Sequence, residues 1–253
     1  MRAITLLTDF GTSDYFVGAM KGVILSINPQ AVIVDITHEI PAQDVAAGAF
    51  TLLAAYDAFP KGTIHVAVVD PGVGSARRPI VVSTGNHLFI GPDNGIFSHV
   101  YDRNPSFEAF HITATEHFRQ PVSNTFHGRD IFAPVAAALS TGIDHASLGP
   151  RIDDPIQLLK SAEPQIIHID RFGNLITNIT PEQFENGMSL LVNGKAIRAF
   201  RRFFGENVGA PDEPFAIWGS AGFLEIAVNG RSAAEVLGVK RGFTPIEIQI
   251  HKD

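Results

Sequence analysis

The sequence predicts an α/β layer fold followed by an all-β region, and three observations carry that expectation. Short apolar runs alternate with helical patterns up to about residue 150; a polar, proline-bearing stretch follows; and β-rich segments with an Asn193-Gly194 hairpin turn fill the remainder. With 253 residues the chain can hold two cores. The expected division is a doubly wound, Rossmann-like α/β domain over 1–152, a linker over 153–164, and a small β-barrel or sandwich over 165–253.

The elements follow in order. Ala3 to Leu7, Ala31 to Ile36, Thr63 to Val69 and Ile80 to Ser83 are near-continuous apolar runs, as strands covered on both faces require. Between the first two, Phe16, Met20, Val23 and Ile27 recur at helical spacing, with Thr12 or Ser13 as a candidate cap and Asn28-Pro29 as the stop. Asp44 to Phe59 is an alanine-rich helix ended by Pro60-Lys61-Gly62, and Gly128 to Ser140 is another. Beyond the linker, strands are expected at Gln165 to Ile169, Ser189 to Val192, Lys195 to Phe200, Phe215 to Trp218, Phe223 to Val228 and Pro245 to Ile250.

Composition narrows the function. Hydrophobic residues make up 45% and charged residues 18%, which excludes extensive disorder. A net charge of -7 with only 19 Lys+Arg argues against a nucleic-acid partner, and a cationic or neutral small ligand fits better. There is no cysteine, so disulfides, thiolate metal sites and cysteine nucleophiles are ruled out. No apolar stretch reaches signal-peptide or membrane-span length, and a cytoplasmic protein is expected.

Three polar clusters fall at strand or helix ends. The first is the strand Thr63 to Val69 running into Asp70-Pro71-Gly72-Val73-Gly74 and Arg77-Arg78, a carboxylate at the carboxyl end of a strand where ligands of α/β folds gather. Asp9, in Thr8-Asp9-Phe10-Gly11, has the equivalent place after the first strand and suits ribose hydroxyls; no G-x-G-x-x-G announces a pyrophosphate. Asp14 reads equally as a helix cap. The second cluster is Asn124-Thr125-Phe126-His127-Gly128-Arg129-Asp130. A helix N-terminus disfavours imidazolium, so His127 is expected neutral and able to relay or orient a proton near Asp70 and Arg77. Taken alone, each segment is also consistent with turn chemistry and a surface ion pair.

The third cluster lies in the β region: Asp170-Arg171-Phe172-Gly173-Asn174, then Gly219-Ser220-Ala221-Gly222-Phe223-Leu224-Glu225 running on to Asn229-Gly230. Phe172 can stack on a base, the Asn174 amide can pair with an adenine edge, and Asp170, Ser220 and Glu225 can hold an amino-acid ammonium and carboxylate, with Asn229 a further candidate substrate contact. Ordinary β-turn chemistry is the competing reading.

In order, Thr8-Asp9-Phe10-Gly11, Val69 to Gly74, Gly91-Pro92-Asp93-Asn94-Gly95, Thr125 to Asp130, Asp170 to Asn174 and Gly219 to Glu225 resemble the S-adenosylmethionine hydroxide adenosyltransferase family, over essentially the whole chain. That family is similar to the halogenases that attack the same carbon of S-adenosylmethionine with halide. The resemblance implies an α/β domain, a barrel-like β domain, a homotrimer with the site between the first domain of one subunit and the second of the next, and hydrolysis of S-adenosylmethionine to adenosine and methionine without a metal or redox cofactor. It implies a water-activating triad at Asp70, Arg77 and His127, with Arg78 as a possible replacement for Arg77. It also implies a ribose carboxylate at Asp9, walls at Phe126 and Phe172, an adenine reader at Asn174, and a methionine clamp at Asp170 and Ser220. Gln43 and Ala221 depart from the halogenase pattern, where a tryptophan and an arginine stand. A halogenase, a non-catalytic nucleoside binder, and a metal phosphoesterase built on Asp9, Asp14, Asp70 and His127 are the alternatives.

Overall fold

In the first half of the chain, seven strands build one mixed sheet: β1 (Ile4–Thr8), β2 (Ile33–Thr37), β3 (Ile64–Val68), β4 (Pro79–Ser83), β5 (Leu88–Pro92), β6 (Glu108–His111) and β7 (Arg151–Ile152). The computed structural model describes residues 2–184, 188–206, 212–240 and 249–252. They form two compact units, divided between Leu158 and Leu159. The sheet order is β2-β1-β3-β5-β4-β6-β7; the first four strands run parallel and the remainder are antiparallel.

Alternation along the strands splits the core into two layers. Ile4 and Leu6 of β1, with Val66 and Val68 of β3, meet Met20 and Ile24 of α1 (Phe16–Ile27) and the small side chains of α4 (Ala133–Ser140). The alanines of α4 are what let it lie close against α1 and the sheet. The opposite face, with His65 and Phe89, packs against Tyr56 of α2 (Val45–Tyr56), which in turn contacts α3 (Ser98–Arg103).

Several expectations are corrected. Neither Thr12 nor Ser13 caps α1; Tyr15 occupies the cap position without a side-chain bond. The 153–164 stretch is not a free linker along its whole length. Asp154 binds Arg78, the Ile156 amide donates to Asp93 Oδ1, and the Leu158 amide donates to Ser98 Oγ, so the segment up to Leu158 lies on the first unit.

The second unit carries a five-stranded sheet in the order β12-β13-β14-β9-β8 and a three-stranded one in the order β11-β10-β15. Its strands are β8 (Ile166–Ile169), β9 (Leu175–Thr177), β10 (Met188–Val192), β11 (Lys195–Ile197), β12 (Ala199–Arg201), β13 (Pro214–Trp218), β14 (Leu224–Val228) and β15 (Gln249–Lys252), with α5 over Ala233–Val236. Both sheets feed one core, from Leu190, Val192 and Ile197 on one side and Leu175, Leu224 and Ile226 on the other. The single strand expected over Lys195 to Phe200 is two: β11 pairs with β10, and β12 leaves to pair with β13. Of the strand expected at Pro245 to Ile250, residues 245–248 lie outside the described residues.

Buried histidines tie this fold to pH. His65 Nδ1 lies 2.8 Å from Thr5 Oγ1 and its Nε2 lies 3.3 Å from His87 Nδ1, with Phe89 stacked on the ring. Burial, and then the neighbouring His87, push His65 down from 6.5 to about 3. A histidine held neutral in the folded state contributes stability that is complete above its unfolded value of 6.5 and is lost as pH falls through 3. The thermal midpoint, followed by circular dichroism, therefore falls as the buffer moves from pH 7 to pH 4, and His65→Gln flattens that fall.

Candidate active site

Asp70 stands two residues beyond β3, where a fully buried strand releases its chain at the sheet edge. Pro71 and Gly72 turn the backbone, and the chain returns so that Arg77 lies over the carboxylate. Arg77 Nε donates to Asp70 Oδ1 at 3.1 Å and Oδ2 at 3.0 Å, and Nη2 donates to Oδ2 at 2.5 Å. The two side chains are only 4% and 8% exposed. Arg78 faces the other way, donating to Asp93 and Asp154. The geometry therefore places Arg77, not Arg78, with Asp70, as adjacent residues of an extended stretch require.

Gly74 explains how a second loop reaches this pair. Its φ is +78°, and a Cβ there would sit 2.2 Å from the Asn124 carbonyl oxygen. The 124–127 segment can thus press against the 70–77 loop, and His127 Nδ1 comes 2.6 Å from Arg77 Nη2. A guanidinium only donates, so Nδ1 must accept, and the imidazole proton sits on Nε2. Burial and then the charge of Arg77 lower the pKa of His127, outweighing Asp70 and Asp130, which raise it. The ring is neutral, as a helix start predicts. That start is a π-helical turn, Gly128–Phe132, leading into α4. It is anchored by Asp130, whose fully buried carboxylate accepts from Arg129 and the Ser123 amide. Burial opposes its charge, but these donors hold it down at about 2.

Asp9 follows β1 and neighbours the cluster. Its Oδ2 accepts from the Gln43 amide at 2.8 Å, with Gln43 in the left-handed region at φ 65°. Burial raises its pKa and the charge of Asp70 raises it further, against the opposing Gln43 hydrogen bond, so two carboxylates share this edge. Phe126 is buried among Phe10, Phe16 and Tyr15, with centroid separations of 5.9, 5.1 and 6.5 Å. Asp14 is exposed and joins none of these groups. Among the described residues no group of three or more His, Asp and Glu side chains converges as a metal site would require. A cleft of about 410 Å³ between α1 and α4, lined by Val23, Ile27, His117, Arg119 and Pro134 among others, includes none of the candidate residues.

In the second unit, Asp170 folds its own turn: Oδ1 accepts from the amides of Phe172 and Asn174, and Oδ2 accepts from Asn174 Nδ2 at 2.8 Å. Asn174 is buried, whereas Phe172 is 78% exposed at the tip. Burial, and then the charge of Asp170, raise the pKa of Glu225. Register puts Asn174 and Glu225 on one face of the β9–β14 pair. Ser220 is exposed in the turn before β14. Asn229 is exposed past the far end of β14, four residues or about 13 Å along the strand from Glu225, so the structure does not bring it into this group.

Sequence reasoning left Asn94 unassigned. Its Nδ2 donates to the Val69 carbonyl at 2.8 Å and fixes the backbone just before Asp70. The signal was present in Gly91 to Gly95, where Gly91 is also obligatory: a Cβ would sit 2.3 Å from the Ala67 carbonyl oxygen.

Models of the two domains of the S-adenosylmethionine hydroxide adenosyltransferase family match residues 4–149 and 164–244. The chain belongs to this family. A family member from Thermus thermophilus, named (R)-S-adenosyl-L-methionine hydrolase, is 38% identical across 96% of this chain and 98% of its own. A hydrolase of the same name from Methanocaldococcus jannaschii is 36% identical across 93% and 92%. A fluorinase from an Actinoplanes species is more distant, 26% identical across 95% of each chain. A crystal structure of an uncharacterized conserved protein from Thermotoga maritima superposes with a TM-score of 0.89 at 37% identity, covering 98% of this chain and all of the other.

The contact of Gly74 with Asn124 yields a test of this geometry. Gly74→Ala must separate the two loops, so it lowers stability by about 2 kcal/mol in urea unfolding. It also lowers catalytic turnover roughly 100-fold by moving His127 away from Arg77.

Proposed function

We propose that this chain hydrolyses S-adenosyl-L-methionine to adenosine and L-methionine, with water attacking the 5′-carbon. The carrying observation is the closed Asp70–Arg77–His127 contact at the end of β3, beside Asp9, in a chain of this family. The names of the hydrolase relatives specify the (R) form, and we carry that preference to this chain.

The assigned roles follow from the chemistry. The C5′–O bond forms as the C5′–S bond breaks, the electron pair leaves with sulfur, and methionine departs as a neutral thioether. No anion needs stabilising on the leaving side, so no Lewis acid or redox group is called for, and we assign no cofactor. The burden falls on the nucleophile. His127 already accepts from Arg77 at Nδ1, so its Nε2–H donates to the water and orients it. The water oxygen accepts from His127 alone, because its second lone pair must face the 5′-carbon. Asp70 receives the proton. Each of its oxygens accepts from Arg77, and the attacking oxygen becomes strongly acidic as the bond to carbon forms, so its proton passes to a carboxylate already held in an ion pair.

Asp9 holds the ribose hydroxyls, Phe126 and Phe172 wall the nucleoside, Asn174 reads the adenine edge, and Asp170, Ser220 and Glu225 hold the methionine end. The exposure of Phe172 and Ser220 supports a site completed by another subunit, and we propose a cytoplasmic homotrimer with the Rossmann-like domain of one protomer facing the barrel-like domain of the next. No helix among the described residues is long and apolar enough to cross a membrane.

Chromatography of an incubation with each sulfonium epimer tests the reading: adenosine and methionine appear, faster from the (R) form, and added chloride or fluoride yields no 5′-halo-adenosine. Asp70→Ala lowers the rate roughly 100-fold or more with adenosine binding retained. Activity survives a chelator. Release of no adenosine by the wild-type protein refutes the proposal.

A further inference from the structure

The backbone around Asp9, the residue assigned to the ribose, is held by a polar chain that begins at the surface on α1 and ends at the Thr8 hydroxyl and the Phe10 amide. Lys21 Nζ pairs with Asp35 Oδ2 at 2.6 Å, Asp35 Oδ1 lies 3.1 Å from His38 Nε2, and His38 Nδ1 lies 2.9 Å from Thr8 Oγ1. Thr8 Oγ1 in turn accepts from the Phe10 amide at 3.2 Å. Lys21 and Asp35 are about one third exposed, whereas the His38 side chain is 3% exposed and Thr8 is fully buried.

Two further observations show that His38 is placed for this contact. The parallel β1–β2 register slips by one residue, Leu6 pairing with Asp35 and Leu7 with Thr37. A bulge of this kind re-aims the side chains after it, and the next side chain is His38. The backbone of the same residue also joins in: its carbonyl accepts from the Gly11 amide at 2.7 Å. Thr8 and Gly11 bracket Asp9, so both grips of His38 hold the backbone on either side of that residue.

The donors and acceptors fix the direction of the chain. A carboxylate facing Nε2 requires a proton there, which leaves Nδ1 to accept from the Thr8 hydroxyl, and frees the Thr8 oxygen lone pairs for the Phe10 amide. The contact of Nε2 with Asp35 satisfies distance but not hydrogen-bond angle, so Nε2 is the slack joint of the chain.

We propose that His38 is a positioning residue for ribose recognition, setting the Asp9 carboxylate through Thr8 while Asp35 and Lys21 hold the ring. This rests on the reading of Asp9 as the group that accepts the ribose hydroxyls. It separates His38 from the triad: His127 acts on the water, His38 on the sugar.

Calorimetric titration with adenosine and with 2′,3′-dideoxyadenosine tests it, using the full chain. The wild-type protein prefers adenosine. In His38→Ala, adenosine affinity falls about 10-fold while dideoxyadenosine affinity stays within about twofold, the loss of one positioned charge-assisted hydrogen bond. His38→Asn, whose amide oxygen can accept from Thr8, regains most of the difference. With S-adenosylmethionine as substrate, KM rises and kcat changes little. Equal weakening toward both nucleosides marks a general structural effect and overturns the proposal, as does an Asn variant no better than Ala. If His38→Ala does not fold, Asp35→Asn at the exposed end reads out the same selectivity, and an unchanged preference there is equally decisive against it. A wild-type protein without turnover refutes the functional reading; one with turnover but an unaltered preference in the variants refutes the positioning role alone.

Discussion

Arg77 joins two loops that are fifty residues apart in sequence, one ending β3 and one beginning the π-helical turn before α4, by donating to Asp70 and to His127 at once. An arginine side chain only 8% exposed is costly unless both its charge and its donors find partners, and removing one partner from such a pair leaves an uncompensated charge worth about 3–5 kcal/mol. The surroundings obey that constraint. Gly74 lacks a Cβ because the loops must touch, Asn94 pins the strand end that carries Asp70, and the Phe132 ring lies 5.3 Å from the Arg77 guanidinium carbon. The neighbouring arginine is drawn off by Asp93 and Asp154, which keeps a second cation out of the cluster.

The same constraint decides what His127 can do. An imidazole that accepts from a guanidinium cannot take a proton at that nitrogen without breaking the contact and creating two adjacent cations. It is a donor in this arrangement, not a base. Sequence reasoning reached a neutral His127 from the helix start alone, which was correct in outcome; burial and Arg77 are the principal causes, and no sequence pattern displays a neighbour fifty residues away.

What was legible depended on how local its cause was. β1, β3 and α1 are set by runs and spacings within a few residues, and the sequence pattern located them. Asp9, Asp70 and His127 could be singled out as candidates because each stands where a strand ends or a helix begins. The β5, β6 and β7 strands were not, since Leu88–Pro92 ends in Gly-Pro and Arg151–Ile152 is two residues long, and only pairing with β4 and β6 makes them strands. The break between β11 and β12 at Arg198 likewise has a tertiary cause, two sheets each claiming one half of a single extended run. The choice between Arg77 and Arg78 was open in sequence and closed by Asp154, a residue assigned to the linker.

Charge ties the site to the cycle it is proposed to run. The substrate carries a sulfonium cation, and the chain offers it two carboxylates at one sheet edge, on a molecule of net charge -7. The charge of Asp70 raises the pKa of Asp9, and in the proposed reading an incoming cation relieves that opposition, so part of the attraction is prepared before binding. Once the C5′–S bond breaks, the sulfur is neutral and that attraction is gone. On that reading Asp9 and Asp70 therefore no longer face a sulfonium charge once the products form. In the proposed reading this leaves adenosine held at Asp9 by its two hydroxyls alone, and it makes the sugar contact, rather than the sulfonium contact, the interaction that governs how long the nucleoside stays.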